Sequence, residues 1–220
     1  MVLAAAILSA TGCGGPGVLR DLPDPLFRAE QARAKRPRIP PRRPRPAPVR
    51  PVPAPPAHPE WCPPGGIRDR WECIVIHHSA THAGGAHTFD LAHRNRGWDE
   101  LGYHFVIGNG TDTADGAVEV GSRWMRQKHG AHCKTPDGFY NQQGIGICLV
   151  GNLEEHRPTA RQMASLVELI RFLTESCEIP LGQVLTHRGV TGRTLCPGKH
   201  FPFAELKARL ALTTAAGGLD

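Results

Sequence analysis

Eleven prolines and eight Lys or Arg, with no acidic residue, fall between Arg33 and Pro59. A stretch of that kind lacks the apolar side chains needed to offset the entropy of ordering. It is expected to be an extended linker, reaching roughly 80 Å at about 3.1 Å per residue. Any globular fold is thereby confined to the residues C-terminal to Pro59. Charge divides at the same place: the first 59 residues carry 10 Lys/Arg against 3 Asp/Glu, so the formal +6 of the 220-residue chain belongs to them and the remainder is near neutral. Whole-chain basicity therefore gives no reason to assign nucleic-acid binding to the folded part, and no aromatic between Phe27 and Trp61 offers bases a platform. The residues from Glu60 onward suffice for one well-buried core and are too few for two.

Met1 to Ala10 (MVLAAAILSA) is an apolar run of signal-peptide length, well short of the ~20 residues that span a bilayer. It leads into Ala10-Thr11-Gly12-Cys13, which resembles the lipobox of bacterial lipoproteins. The expectation is an exported chain, periplasmic or in the cell envelope, anchored to the membrane by lipid on Cys13; the alternative is a plain cleavable signal with an incidental cysteine. The chain is divided into a signal segment (1–13), a linker (14–59), a domain (60–212) and a flexible C-terminal tail (213–220). The linker is read either as a solvated spacer or as an adhesive strand for anionic polymer.

Within the domain, Cys73 to His77 reads as a β-branched strand, and Tyr103 to Ile107, Ala117 to Val120, Ile145 to Val150 and Gln183 to Thr186 as further strands. Ala86 to Arg96 is predicted helical, with Thr88 as N-cap and Gly97 just past the end. Thr159 to Glu175 is the strongest helical pattern: Thr159 and Gln162 form a capping box, and Met163, Leu166, Val167, Ile170 and Leu173 mark one apolar face. Phe203 to Leu210 closes the domain as a helix. Strands and helices interleave without a strict repeat, which predicts an α/β domain, a mixed central sheet flanked by helices.

Eleven of the twelve histidines lie in this domain, and neutral imidazole and thiolate are natural zinc ligands. His77 and His78 follow the first strand; His187 ends another, with Cys196 nine residues on. Two His and one Cys supply three ligands and leave a fourth tetrahedral position open, as in catalytic sites. From spacing alone, His187 also reads as a hydrogen-bonded structural residue and Cys196 as half of a disulfide.

Six segments then carry a resemblance: Ile74-Val75-Ile76-His77-His78-Ser79-Ala80, Leu101-Gly102-Tyr103-His104-Phe105-Val106-Ile107, Gly130-Ala131-His132, Gln143-Gly144-Ile145-Gly146-Ile147, Val150-Gly151-Asn152, and Thr186-His187-Arg188 with Thr194-Leu195-Cys196-Pro197-Gly198. In this order they resemble the zinc-dependent N-acetylmuramoyl-L-alanine amidases of the peptidoglycan-recognition-protein and phage-lysozyme type, over about residues 70 to 203. The resemblance implies Zn2+ held by His77, His187 and Cys196, with Tyr103 and Thr194 as catalytic residues. Its implied substrate is peptidoglycan, cut between N-acetylmuramic acid and L-alanine, with the muropeptide stem in a groove. The ion would activate water and polarise the amide carbonyl. Tyr103 would orient the water, and Thr194 would donate to the developing oxyanion.

His104 is expected to face the groove and touch the stem, or to be an ordinary strand residue; His132 is expected to line the groove. His78, pointing opposite to His77, is expected to support the site. Relative to many members one residue is added between His187 and Cys196, near Gly192, to be absorbed in the loop. Trp124 is expected in the core or at its rim, and Cys73 and Cys148 as small buried hydrophobes. Cys62, Cys73, Cys133, Cys148 and Cys177 permit at most two disulfides. A monomer is expected. The rival reading is a non-catalytic peptidoglycan-binding module; members of that kind typically lack the Cys ligand that this chain keeps.

Overall fold

The computed structural model describes residues 58–216; Cys13, most of the linker and residues 217–220 lie outside them. Five strands form one sheet in the order β3-β2-β4-β1-β5. They are β1 (Cys73–His78), β2 (Phe105–Ile107), β3 (Val118–Val120), β4 (Gly144–Leu149) and β5 (Val184–Thr186). All neighbouring pairs are parallel except β2 with β3. The two central strands, β1 and β4, are buried along their whole length, which is why they read as near-continuous apolar runs rather than alternating ones.

The helices are α1 (Ala86–Arg94), α2 (Ser122–Met125), α3 (Phe139–Gln142), α4 (Ala160–Cys177), α5 (His187–Thr191) and α6 (Phe203–Ala216). One face of the sheet, carrying Ile74, Ile76, Phe105, Ile107, Ile145, Ile147 and Leu149, forms the main core with Met163, Leu166, Ile170 and Leu173 of α4 and Leu206 and Leu210 of α6. The capping box forms as expected: the Thr159 side chain accepts from the Gln162 backbone and Gln162 returns a bond to the Thr159 backbone. The Gln162 Nε2 also donates to the carbonyls of Ile107 and Val150, at 3.1 and 2.8 Å, tying the start of α4 to β2 and the end of β4.

Two expectations are revised. The N-cap of α1 is Gly85, and the Thr88 hydroxyl donates instead to Asp112 at 2.5 Å. The last helix extends to Ala216, beyond the Leu210 expected as its end. The cysteines stay within the expected limit of two disulfides: among the described residues none forms, and Cys62, Cys73, Cys133, Cys148, Cys177 and Cys196 are all free. Cys73 and Cys148 are fully buried, and Trp124 lies in the main core.

Candidate metal centre

The opposite face of the sheet builds the site. Along β1, Ile74 and Ile76 turn to the α4 core, whereas Cys73 and Val75 pack with Cys133, Tyr140 and Val190. His77 continues this second row. The register sets Ile76 beside Thr186, so His187, the next residue and the first of α5, arrives level with His77. Thr186 caps α5, its side chain accepting from the Gly189 N–H at 3.0 Å. At the other end of α5, Gly192 adopts φ +67, the left-handed conformation that lets the chain reverse. The chain returns with the Cys196 carbonyl accepting from the Arg188 N–H at 2.7 Å.

The result is one cluster: ligand atoms of His77, His187 and Cys196 lie within 4.8 Å of one another, in buried surroundings. Cys196 Sγ is 3.6 Å from His77 Nδ1 and 3.3 Å from the His78 backbone nitrogen. Two imidazoles and a thiol match the borderline-soft preference of zinc and leave a fourth position free, so the residues fit the ion. Beside them a cleft of about 350 Å³ is lined by Phe89, His93, Arg96, Tyr103, Thr194 and Leu195 among others.

Burial dominates the electrostatics. Desolvation, with His187 and His132 beside it, pushes His77 well below its ordinary 6.5, and desolvation brings His187 to about 4. The Cys196 thiol is pushed up to about 12, so only a nearby cation makes it a thiolate. Burial and the adjacent Cys148 and Cys196 hold Tyr103 well above its ordinary value, which keeps its hydroxyl protonated at neutral pH. The ring of Tyr103 sits 5.3 Å from that of His77. Thr194 lines the cleft, and its Oγ accepts from the Cys196 N–H at 3.2 Å, leaving the hydroxyl proton available.

Two residues expected at the groove are placed elsewhere. His104 is fully buried: its Nδ1 accepts from the Gly146 N–H at 2.9 Å and its Nε2 donates to the Lys128 carbonyl at 3.1 Å, so neither nitrogen is left for a substrate. His132 is buried behind His77, with its ring nitrogens on His77 and on the Gly144 carbonyl. Neither lines the cleft. His78 supports the site through its backbone contact with Cys196 and by accepting from the Leu153 N–H at 3.0 Å.

Sequence reasoning missed two further contributors. Arg123, 1% exposed, donates to the carbonyls of Leu101 and His129 at 2.6 and 2.7 Å and pairs with Asp99, fastening the segment that delivers Tyr103. His93 accepts from the Gly102 N–H at 3.0 Å and stacks on Trp98 at the cleft wall. An arginine on a four-residue helix gives no pattern to detect, whereas a histidine close before Gly97-Trp98 was at least visible as a polar residue in an amphipathic helix.

The buried rings set a pH dependence. In the folded protein His104 is lowered to about 3 and His93 to about 4. Below about pH 6.5 the unfolded chain takes up protons at these rings while the folded one does not, so stability falls as pH falls toward 4. At about 1.4 kcal/mol per ring per pH unit, the two together cost roughly 5 kcal/mol by pH 4.5. Thermal unfolding of chelator-treated protein across pH 7 to 4.5 checks this; an unchanged melting temperature would mean that these rings are not held neutral.

Comparison with known proteins agrees with this architecture. The family model for N-acetylmuramoyl-L-alanine amidase matches residues 68–199. The endolysin of Escherichia phage T7 is 33% identical over 138 residues, 59% of this chain and 82% of the phage protein. Among solved structures, the N-acetylmuramoyl-L-alanine amidase LysC of Clostridium intestinale superposes with a TM-score of 0.57 at 33% identity, over 64% of this chain and 86% of that one. A point mutant of Drosophila PGRP-LB in complex with tracheal cytotoxin superposes with a TM-score of 0.50 at 26% identity, over 64% and 83%. A match over more than half of the chain, on residues that include the whole metal cluster, makes this protein a member of the N-acetylmuramoyl-L-alanine amidase family.

Proposed function

We propose that the protein is a zinc-dependent amidase that hydrolyses the bond between N-acetylmuramic acid and L-alanine in peptidoglycan. The observation that carries this reading is the convergence of His77, His187 and Cys196 beside an open cleft. A purely recognising module has no use for three buried ligands. When bound, zinc supplies Lewis acidity toward the amide carbonyl and a nucleophilic water near neutral pH.

The chain's own groups do the rest. Tyr103, protonated at neutral pH, lines the cleft with its ring 5.3 Å from that of His77, and its hydroxyl, which meets Cys148, would turn to accept from or donate to a water or amide there. It orients rather than acts as a phenolate base. Thr194 uses its lone pair on the Cys196 N–H and so presents its proton to the oxygen on which charge develops. The complex of PGRP-LB with tracheal cytotoxin supports muropeptide as the ligand class. Export and a lipid anchor at Cys13 belong to the proposal and rest on the sequence alone; an unmodified mature N-terminus in mass spectrometry would remove the anchor.

The test pairs metal analysis of the purified full chain with an assay for stem peptides released from purified peptidoglycan. Hydrolysis that is lost on chelation and restored by Zn2+ is expected. Zinc-loaded protein that binds peptidoglycan and releases no stem peptide would leave a recognition module in its place.

A further inference from the structure

His132 does not itself line the cleft, and its backbone is pinned behind it: the N–H groups of His132 and Cys133 both donate to Asn141 Oδ1 at 2.8 Å. Its ring lies against the sheet where two glycines make room. A Cβ on Gly146 would come within 2.5 Å of the His132 ring, and one on Gly130 within 2.3 Å. The ring's two hydrogen bonds then determine a proton arrangement.

The Gly144 carbonyl can only accept, so His132 Nε2, 3.1 Å away, carries a proton. An imidazolium here would be buried with no carboxylate among its hydrogen-bond partners, so the ring stays neutral and Nδ1 holds a lone pair. His77 Nε2 lies 3.1 Å from that lone pair and is therefore the donor. The remaining nitrogen of His77, Nδ1, is the one 3.6 Å from Cys196 Sγ. Ligating histidines are commonly oriented in this way by a partner on the other ring nitrogen.

We propose that His132 is the positioning residue of the metal centre: it holds His77 as the Nε2-protonated tautomer and thereby presents Nδ1 to zinc. The proposal rests on the metal reading above and adds what selects the ligating atom. The relay runs from the Gly144 carbonyl through His132 to His77, and it exists before any ion binds.

Two measurements on the full chain test it. Long-range proton–nitrogen correlation spectra of the metal-free protein should show His77 protonated at Nε2. Zinc affinity, measured by competition with a chromophoric chelator, should weaken roughly 10–100-fold in His132→Leu, which keeps bulk and removes the acceptor. His132→Asn, whose side-chain oxygen replaces the Nδ1 acceptor, should recover most of that loss. A structural role alone would not rank Asn above Leu. His77 protonated at Nδ1 in the metal-free wild type, or His132→Leu binding zinc as tightly as wild type, overturns the proposal while leaving the amidase reading intact. Wild-type protein that binds no zinc overturns both. Should His132→Leu fail to fold, the wild-type spectrum decides.

Discussion

Cys196→Ala is expected to reduce release of stem peptides from peptidoglycan to background while the domain stays folded. Of the three candidate ligands only Cys196 brings a negative charge; His77 and His187 are neutral, held so by burial. Its thiol, pushed up to about 12 in the absence of a cation, ionises only when one is near, so metal uptake releases a proton and affinity weakens in acid. Alanine leaves two imidazoles and no compensating charge. Loss of an outer partner typically costs 10–100-fold in affinity; loss of the ligand itself is expected to cost on the order of 1,000-fold or more. The loop should persist, because its backbone bonds, Arg188 N–H to the Cys196 carbonyl and Cys196 N–H to Thr194 Oγ, do not involve the thiol. Zinc content, circular dichroism and the release assay on one preparation check the three parts. Full hydrolysis by the alanine variant would refute the mechanism.

The largest effect on stability is expected from Trp124→Ala. This side chain is fully buried on α2, packs against Phe105 and Trp71 at ring distances of 5.0 and 5.8 Å, and donates from Nε1 to the Trp61 carbonyl at 2.7 Å. It joins the segment that enters the domain to the sheet. Truncation removes the packing and the donor together, at about 3–5 kcal/mol for a buried Trp, with roughly 1 kcal/mol more for the orphaned carbonyl. At about 2–4 °C per kcal/mol in a chain of this size, the melting temperature should fall by about 10–20 °C. A fall of less than about 2 °C would show that the entering segment does not depend on this residue.

Much of the fold is legible where a pattern has room to repeat. The 18-residue α4 displays repeated apolar spacing and a reciprocal cap, and β1 and β4 announce themselves as buried runs between polar loops. The short helices α2, α3 and α5 have four or five residues each. One turn or so presents no period to find, and tertiary contacts hold such segments where propensity would not. The cap of α1 escapes the sequence for a related reason: neighbouring residues favour Thr88, whereas its hydroxyl is taken by Asp112, 24 residues away.

The site divides in the same way. The residue types of the candidate metal cluster, two histidines at strand ends and a cysteine in the loop that follows α5, are visible because their chemistry is unusual in such positions. The roles of His104 and His132 are not, since a histidine in a motif reads equally as a groove residue and as a brace. Deciding between them requires the bonds to Gly146, Lys128, Gly144 and His77.

By itself the sequence determined that β1 is a buried strand with His77 and His78 on opposite faces, the capped amphipathic α4, and the placement of the excess positive charge outside the domain. Only the tertiary structure decided that His77, His187 and Cys196 meet, which nitrogen of His77 faces the thiol, and that His132 stands behind the site rather than in the cleft. The physical reason is range. Periodicity and capping are set by neighbours a few residues apart, whereas the His77–His132 bond spans 55 positions and the His77–Cys196 contact 119; such pairs exist only once the parallel strands are in register.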